Sequence, residues 1–217
     1  MRLKVCGITS PEQLEQLNEL QIEFGGLIFY PNSPRYVFKH TTAQDIKKVK
    51  GNINKVGVFV NATEDYVLKS IDDCGLYLVQ LHGDETPYYC EKISNYITVI
   101  KVFRIGQDEN ILWKIKDYAD VVDIFLFDTD GAGYGGTGKK FDWSALSGLT
   151  INKPFFLSGG IAPDDTENLK AFMQLPVAKN LFAFDINSKF EIVPGIKDMT
   201  KIDAFCKEMN LGKYRGF

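Results

Sequence analysis

The chain has 217 residues, 45% of them hydrophobic and 24% charged, the size and balance expected of one α/β barrel domain with its own buried core. A net charge of −3 without any basic block argues against a nucleic-acid partner. The longest apolar runs are strand-sized, too short to cross a bilayer, and the first residues hold no signal-peptide core, so no membrane partner and a cytoplasmic location are expected.

Eight apolar runs recur along the chain, at residues 3–6, 26–30, 55–60, 76–81, 97–103, 123–128, 154–158 and 181–186. They begin about 20 to 30 residues apart, wide enough for one crossover helix each. They are rich in Val, Ile, Leu and Phe without clean alternation, as for strands covered on both faces. Helix signals fill the gaps. Ser10-Pro11-Glu12-Gln13 opens the first helix, with Leu14, Leu17 and Leu20 as its buried stripe. Thr41 or Thr42 begins the next, with Ile46 and Val49 inward, and Thr63 precedes Val67, Leu68 and Ile71. Thr86-Pro87 starts the helix carrying Cys90 and Ile93, and Asp108 precedes Ile111, Leu112 and Ile115. Asp142 heads a short element through Leu146, Asp164 or Asp165 caps 169–173, and 197–209 is the last helix. Eight strand–helix units predict a single (βα)8 barrel over residues 1–217, a TIM barrel with a closed parallel eight-stranded sheet. Strand order cannot be read from periodicity, so an open doubly wound sheet is the competing arrangement.

In such a barrel the C-terminal strand ends build the active site. Cys6 closes the first run and Gly7 turns the chain away; a thiolate there can act as nucleophile or base, and alone the residue also reads as a small buried hydrophobe. Asp128 closes the sixth run, where partial burial can hold a carboxyl protonated as a general acid, although a turn cap is an equal reading. Arg35, in the proline-stiffened loop after the second run, suits a carboxylate in a forked pair. His82 follows the fourth run and reads as a structural hydrogen-bonder rather than a catalyst. The segment 131–140 mimics both a dinucleotide loop and a P-loop. It lacks the long helix of the first and the Ser/Thr of the second, where Lys140 stands; what survives is a run of backbone N–H groups for an anion. Ser158-Gly159-Gly160 after the seventh run and Asp185-Ile186-Asn187-Ser188 after the eighth occupy the loops that often form a phosphate site in these barrels. Cys6, Cys74, Cys90 and Cys206 contain no Cys-x-x-Cys pair, and His40 and His82 are the only histidines, so no metal site is expected and the thiols fit a reducing compartment.

Seven stretches in order make the chain resemble the phosphoribosylanthranilate isomerase family over nearly its whole length. They are Lys4-Val5-Cys6-Gly7-Ile8-Thr9, residues 29–37, residues 56–61, residues 80–85, Phe127-Asp128 with Gly135-Gly136-Thr137-Gly138 and Phe141-Asp142-Trp143, residues 157–160, and Asp185-Ile186-Asn187-Ser188 through Asp198. The resemblance implies a cofactor-free Amadori rearrangement in tryptophan biosynthesis, from N-(5-phosphoribosyl)anthranilate to 1-(2-carboxyphenylamino)-1-deoxyribulose 5-phosphate. It implies Cys6 as general base, Asp128 as general acid, Arg35 against the anthranilate part and Asp185 near the substrate. Gly136, Thr137, Gly159, Gly160, Asn187 and Ser188 would cradle the phosphate. Its partner would be a small phosphoribosyl substrate, and its quaternary state a monomer or homodimer. Departures from the family pattern are Lys189 where a small residue is usual, a compressed 23–27 approach to the second strand, and a loop of variable length around Ala132 and Tyr134. The competing readings are a histidine-pathway Amadori isomerase, which would need carboxylate pairs where this chain has Cys6, and a non-catalytic phosphometabolite-binding barrel.

Overall fold

The computed structural model describes residues 1–106, 110–129 and 142–215. Eight parallel strands close into one barrel in sequential order: β1 Arg2–Ile8, β2 Phe24–Ile28, β3 Asn54–Phe59, β4 Leu78–Leu81, β5 Thr98–Ile105, β6 Ile124–Thr129, β7 Phe155–Leu157 and β8 Leu181–Ile186. The open-sheet alternative is thereby excluded, because β1 pairs with β8 as well as with β2. The intervening helices are α1 Pro11–Glu19, α2 Ala43–Lys48, α3 Glu64–Cys74, α4 Pro87–Ser94, α5 Ile111–Ile115, α6 Thr166–Phe172 and α7 Met199–Met209.

The expected caps at Ser10, Thr42, Thr63 and Thr86 each accept the backbone N–H three residues on, satisfying an orphan donor of the first turn. Several boundaries differ from expectation for local reasons. Asp108 lies outside the described residues, and the cap of α5 is Asn110, whose side chain accepts from the Trp113 amide. Leu112, expected inward, is 43% exposed, because the buried stripe of so short a helix is only Ile111 and Ile115. Asp142 does head a short element, but it is a 3₁₀ turn, Trp143–Leu146. Asp165 accepts from the Ala162 amide at 2.7 Å and closes the 3₁₀ turn that leads into α6. The last helix begins at Met199, since Lys197 belongs to an unexpected hairpin, β9 Glu191–Val193 with β10 Ile196–Lys197, inserted after β8.

Alternation along the strands sorts the core into two shells. One parity packs against the helices. The other fills the barrel with Phe24, Val56, Leu78, Ile100, Val102, Ile124, Leu126, Phe156 and Ala183. Carried toward the C-terminal strand ends, that inward parity reads Lys4 and Cys6, Gln80 and His82, Arg104, Asp128 and Asp185. The barrel interior is therefore oily at the bottom and ionisable at the top.

Lys4 is fully buried, and its ammonium donates to both carboxylate oxygens of Asp185 at 2.9 Å across the β1–β8 seam. Removing one member would strand the other in a desolvated site. Lys4→Met should therefore cost about 3–5 kcal/mol in urea unfolding, while Lys4→Met combined with Asp185→Leu should recover most of that loss. Equal destabilisation by the single and the double variant would contradict the pairing.

Candidate active site

Cys6 sits two residues beyond Lys4 on the same face of β1 and is 5% exposed. The strand does not stop there. It continues to Ile8 through a register shift at Gly7, which takes a φ of 81° that favours glycine. A side chain at Gly7 would collide with Arg35 and with the Asn187 side chain, so the bulge makes room for both. Cys6 in turn faces Gly26 of β2, where a Cβ would lie 3.0 Å from both the Cys6 Sγ and its Cα. Burial pushes the Cys6 thiol above its ordinary value. Lys4 beside it pulls the other way, and Asp185 adds a smaller upward push. Burial alone would favour neutral Lys4, but Asp185 and Cys6 together outweigh it and lift Lys4 above the ordinary range.

Asp128 lies near the end of β6, in register with Arg104 of β5. Burial raises its pKa to about 6; the Thr129 amide, donating at 2.8 Å, pulls it down, Asp185 pushes it up, and Lys4 and the Ser158 hydroxyl pull down more weakly. The two ions of the Lys4–Asp185 pair thus weigh differently on the two groups. Lys4 outweighs Asp185 at Cys6, and Asp185 outweighs Lys4 at Asp128. The pair acts as an oriented dipole, favouring a thiolate at one end and a neutral carboxyl at the other. The imidazole Nε2 of His82, from the end of β4, stands 3.6 Å from the second oxygen of Asp128.

Arg35, 8% exposed, is not free. Its Nε and Nη2 fork onto Glu191 of the hairpin, at 2.9 and 2.7 Å. Glu191 also accepts from Lys197 Nζ at 2.7 Å and from the Gly195 amide at 3.1 Å. Burial would raise Glu191, but Arg35 and Lys197 together hold it below the usual carboxylate range. Lys197 donates as well to the Asn187 side-chain oxygen at 2.8 Å. Gly159 and Gly160 follow β7 after Ser158, with φ of 91° and 74°, and Asn187 and Ser188 directly follow the adjacent β8. Lys189 is exposed. Gly136 and Thr137, with the rest of 130–141, lie outside the described residues.

Of the expected site residues, Cys6, Asp128, Arg35 and Asp185 gather around one buried charge cluster; Asn187 joins it through Lys197, and Gly159, Gly160 and Ser188 sit in the loops that leave the C-terminal ends of β7 and β8. Lys4, Glu191, Lys197 and His82 complete the cluster; the first three carried no assigned role in the sequence, and His82 was read there as a structural hydrogen-bonder. Lys4 and His82 were detectable by strand parity with Cys6 and with Gln80. Glu191 offered no such signal, because its partner Arg35 is 156 residues away.

A family profile described as N-(5'-phosphoribosyl)anthranilate (PRA) isomerase matches residues 3–208. The N-(5'-phosphoribosyl)anthranilate isomerase of Parabacteroides distasonis is 39% identical over 211 residues, spanning 96% of this chain and 93% of the relative. The solved phosphoribosylanthranilate isomerase of Thermotoga maritima superposes with a TM-score of 0.82 at 32% identity, covering 97% of this chain and 98% of the other. A phosphoribosylanthranilate isomerase in complex with reduced 1-(O-carboxyphenylamino)-1-deoxyribulose 5-phosphate superposes with a TM-score of 0.77 at 30% identity, covering 97% and 98%.

The electrostatics of Asp128 carry a stability signature. Its folded pKa of about 6 exceeds the ordinary 3.8, so its contribution is fully present below 3.8 and is lost as pH rises through 6. Asp128→Asn removes that ionisation. The variant should be more stable than the parent at pH 7.5, by up to about 3 kcal/mol, and the difference should vanish near pH 3.5. Paired urea titrations at the two pH values measure it.

Proposed function

The chain belongs to the N-(5'-phosphoribosyl)anthranilate isomerase family, and from that premise we propose which of its side chains carry the reaction and how. It is an isomerase of N-(5'-phosphoribosyl)anthranilate, working by an Amadori-type rearrangement in tryptophan biosynthesis. In our reading the neutral Asp128 carboxyl gives its proton to the furanose ring oxygen. The C1–O bond breaks, and the anilino nitrogen lone pair closes the C1=N bond of an iminium. That cation acidifies the hydrogen on C2. Cys6, as thiolate, removes it, and the electron pair moves toward nitrogen to leave an enolamine. Protonation at C1 and loss of the C2 hydroxyl proton give the ketone. The iminium is its own electron sink, so the sequence of steps balances with acid and base alone.

The observation that carries this reading is that Cys6 and Asp128, on β1 and β6, both feel the buried Lys4–Asp185 pair, and that of its two ions the stronger influence on each is the one that favours its reactive form. The opposite protonation state nevertheless prevails in the free enzyme. With its pKa at about 6, Asp128 is about one-tenth protonated at pH 7, while burial keeps Cys6 largely a thiol. The active form is the minor tautomer with one proton moved from sulfur to carboxylate. The acidic limb of the pH profile then reports Asp128 and the alkaline limb Cys6.

The aryl carboxylate meets the Nη1 edge of Arg35, the edge that Glu191 leaves open. Asp185 acts through Lys4 and lies beside the sugar. The phosphate rests on the backbone amides of Gly159, Gly160, Asn187 and Ser188. Its remote binding energy orients the reacting carbons. Four free, buried cysteines among the described residues suit a cytoplasmic enzyme, and no described helix is long and apolar enough to cross a membrane. We read its quaternary state as monomer or homodimer.

Cys6→Ala and Asp128→Asn should each lower kcat by about 10²–10⁴-fold with the circular dichroism of the parent. A fluorescence assay following loss of phosphoribosylanthranilate generated in situ reads this; near-parental turnover in either variant removes the assignment. In the parent enzyme kcat/KM should fall below a limb at about pH 6. Arg35→Met should raise KM by about 10-fold or more and change kcat less, with no such penalty for an analogue built on aniline, which lacks the carboxylate.

A further inference from the structure

His82 Nε2 and Gln80 Oε1 are the buried side-chain polar atoms without a hydrogen-bond partner among the described residues. A buried N–H of that kind is costly, and the fold has spent much to hold it where it is. The His82 amide donates to the Phe59 carbonyl at 2.8 Å. Immediately after it, the loop is clamped by Lys101, which donates to the Gly83 carbonyl and to Glu85, each at 2.8 Å. The other oxygen of Glu85 accepts from the amides of Asn61 and Gly83, at 2.8 and 3.1 Å. Within this frame the ring is oriented by Gln80, whose Nε2 lies 2.9 Å from Nδ1. An amide nitrogen only donates, so Nδ1 accepts and the ring proton sits on Nε2. That nitrogen lies 3.6 Å from Asp128 Oδ2.

We propose that His82 is a positioning residue for Asp128: its neutral Nε2–H closes onto Oδ2 as the carboxyl gives up its proton, stabilising the carboxylate and setting its acid strength. The proposal rests on Asp128 being the general acid. A neutral imidazole suits this task, since it can donate a hydrogen bond without competing as a proton source. Burial, with Lys4, Lys101 and Arg104 nearby, holds the His82 pKa down at about 3, so the ring stays neutral through the working range. Six elements present polar groups to Asp128. They are Lys4 with Cys6 on β1, His82 after β4, Arg104 on β5, the Thr129 amide on β6, Ser158 after β7 and Asp185 on β8. Arg104 is turned to Asp84 in an ion pair, and Asp185 and Lys4 are engaged with each other. Of these groups, His82 Nε2 is the buried nitrogen without a hydrogen-bond partner.

The test is the pH profile of the whole enzyme. In His82→Ala the acidic limb should move up by about one pH unit with KM within about 2-fold, because Asp128 loses a donor to its charged form. His82→Gln, which keeps an N–H near the Nε2 position, should restore part of the limb's position. Adding His82→Ala to Asp128→Asn should cost nothing further. A measurement without variants of His82 guards against misfolding. In His40→Gln, ¹⁵N spectroscopy sees a single histidine, and it should report the Nε2–H tautomer at pH 7. The Nδ1–H tautomer, an unmoved acidic limb in a folded His82→Ala, or full additivity with Asp128→Asn would each overturn the proposal. Near-parental activity of Asp128→Asn alone would instead overturn the acid assignment on which it stands.

Discussion

The Lys4–Asp185 ion pair is the interaction on which the rest of this barrel depends. It occupies the level where the oily interior gives way to the ionisable mouth, and it joins the first strand to the last. A buried pair is seldom a stabilising choice; hydrophobic residues of the same volume would serve the fold as well or better. Its value lies in the field it makes. With the cation dominant at Cys6 and the anion dominant at Asp128, one pair of charges moves two pKa values in opposite senses. A lone lysine would help the thiolate and spoil the acid, and a lone aspartate would do the reverse.

That field does not overcome burial. Cys6 stays above its ordinary value and Asp128 sits at about 6, so the resting enzyme holds its proton on the wrong group. The arrangement fits a reaction that creates its own cation. Once the iminium forms beside Cys6, its positive charge joins that of Lys4, and the thiolate becomes the favoured form where it is needed. A base fully ionised in the empty site would carry the whole desolvation cost throughout the catalytic cycle and be open to oxidation. The buried acid does carry part of that cost, which is why the folded state loses stability as Asp128 ionises.

Much of this was legible in the chain. Eight apolar runs at helix-wide spacing pointed to the barrel, with strand order left for the β1–β8 pairing to settle, and Cys6 and Asp128 were proposed as site residues because they stand at the ends of such runs. Their neighbours were hidden for physical reasons. Lys4 reads as an ordinary surface lysine until strand parity turns it inward with Cys6. Glu191 meets Arg35 only because an inserted hairpin folds back over the barrel mouth, and no local pattern encodes a contact 156 residues long. The 3₁₀ turn after β6 and the short α5 carry few buried residues, so their periodicity was faint. His82 looked structural because a lone histidine usually is; only the atom-by-atom hydrogen-bond census separates a satisfied ring from one with a donor left over.

The hairpin shows how specificity and order are linked at this mouth. Glu191 does for Arg35 what Asp185 does for Lys4: it neutralises a buried cation and fixes its direction. Because the fork occupies Nε and Nη2, the guanidinium cannot swing to accept a carboxylate in more than one way, and the open edge is the one that remains. Lys197 then ties Glu191 to Asn187, at the β8 end of the expected phosphate cradle. In the proposed mechanism the grip on the aryl carboxylate and the grip on the phosphate are thereby joined through two buried ions. Both ends of the substrate would then be held by one rigid unit, leaving the sugar between them little freedom except to present C2 to sulfur and its ring oxygen to the acid.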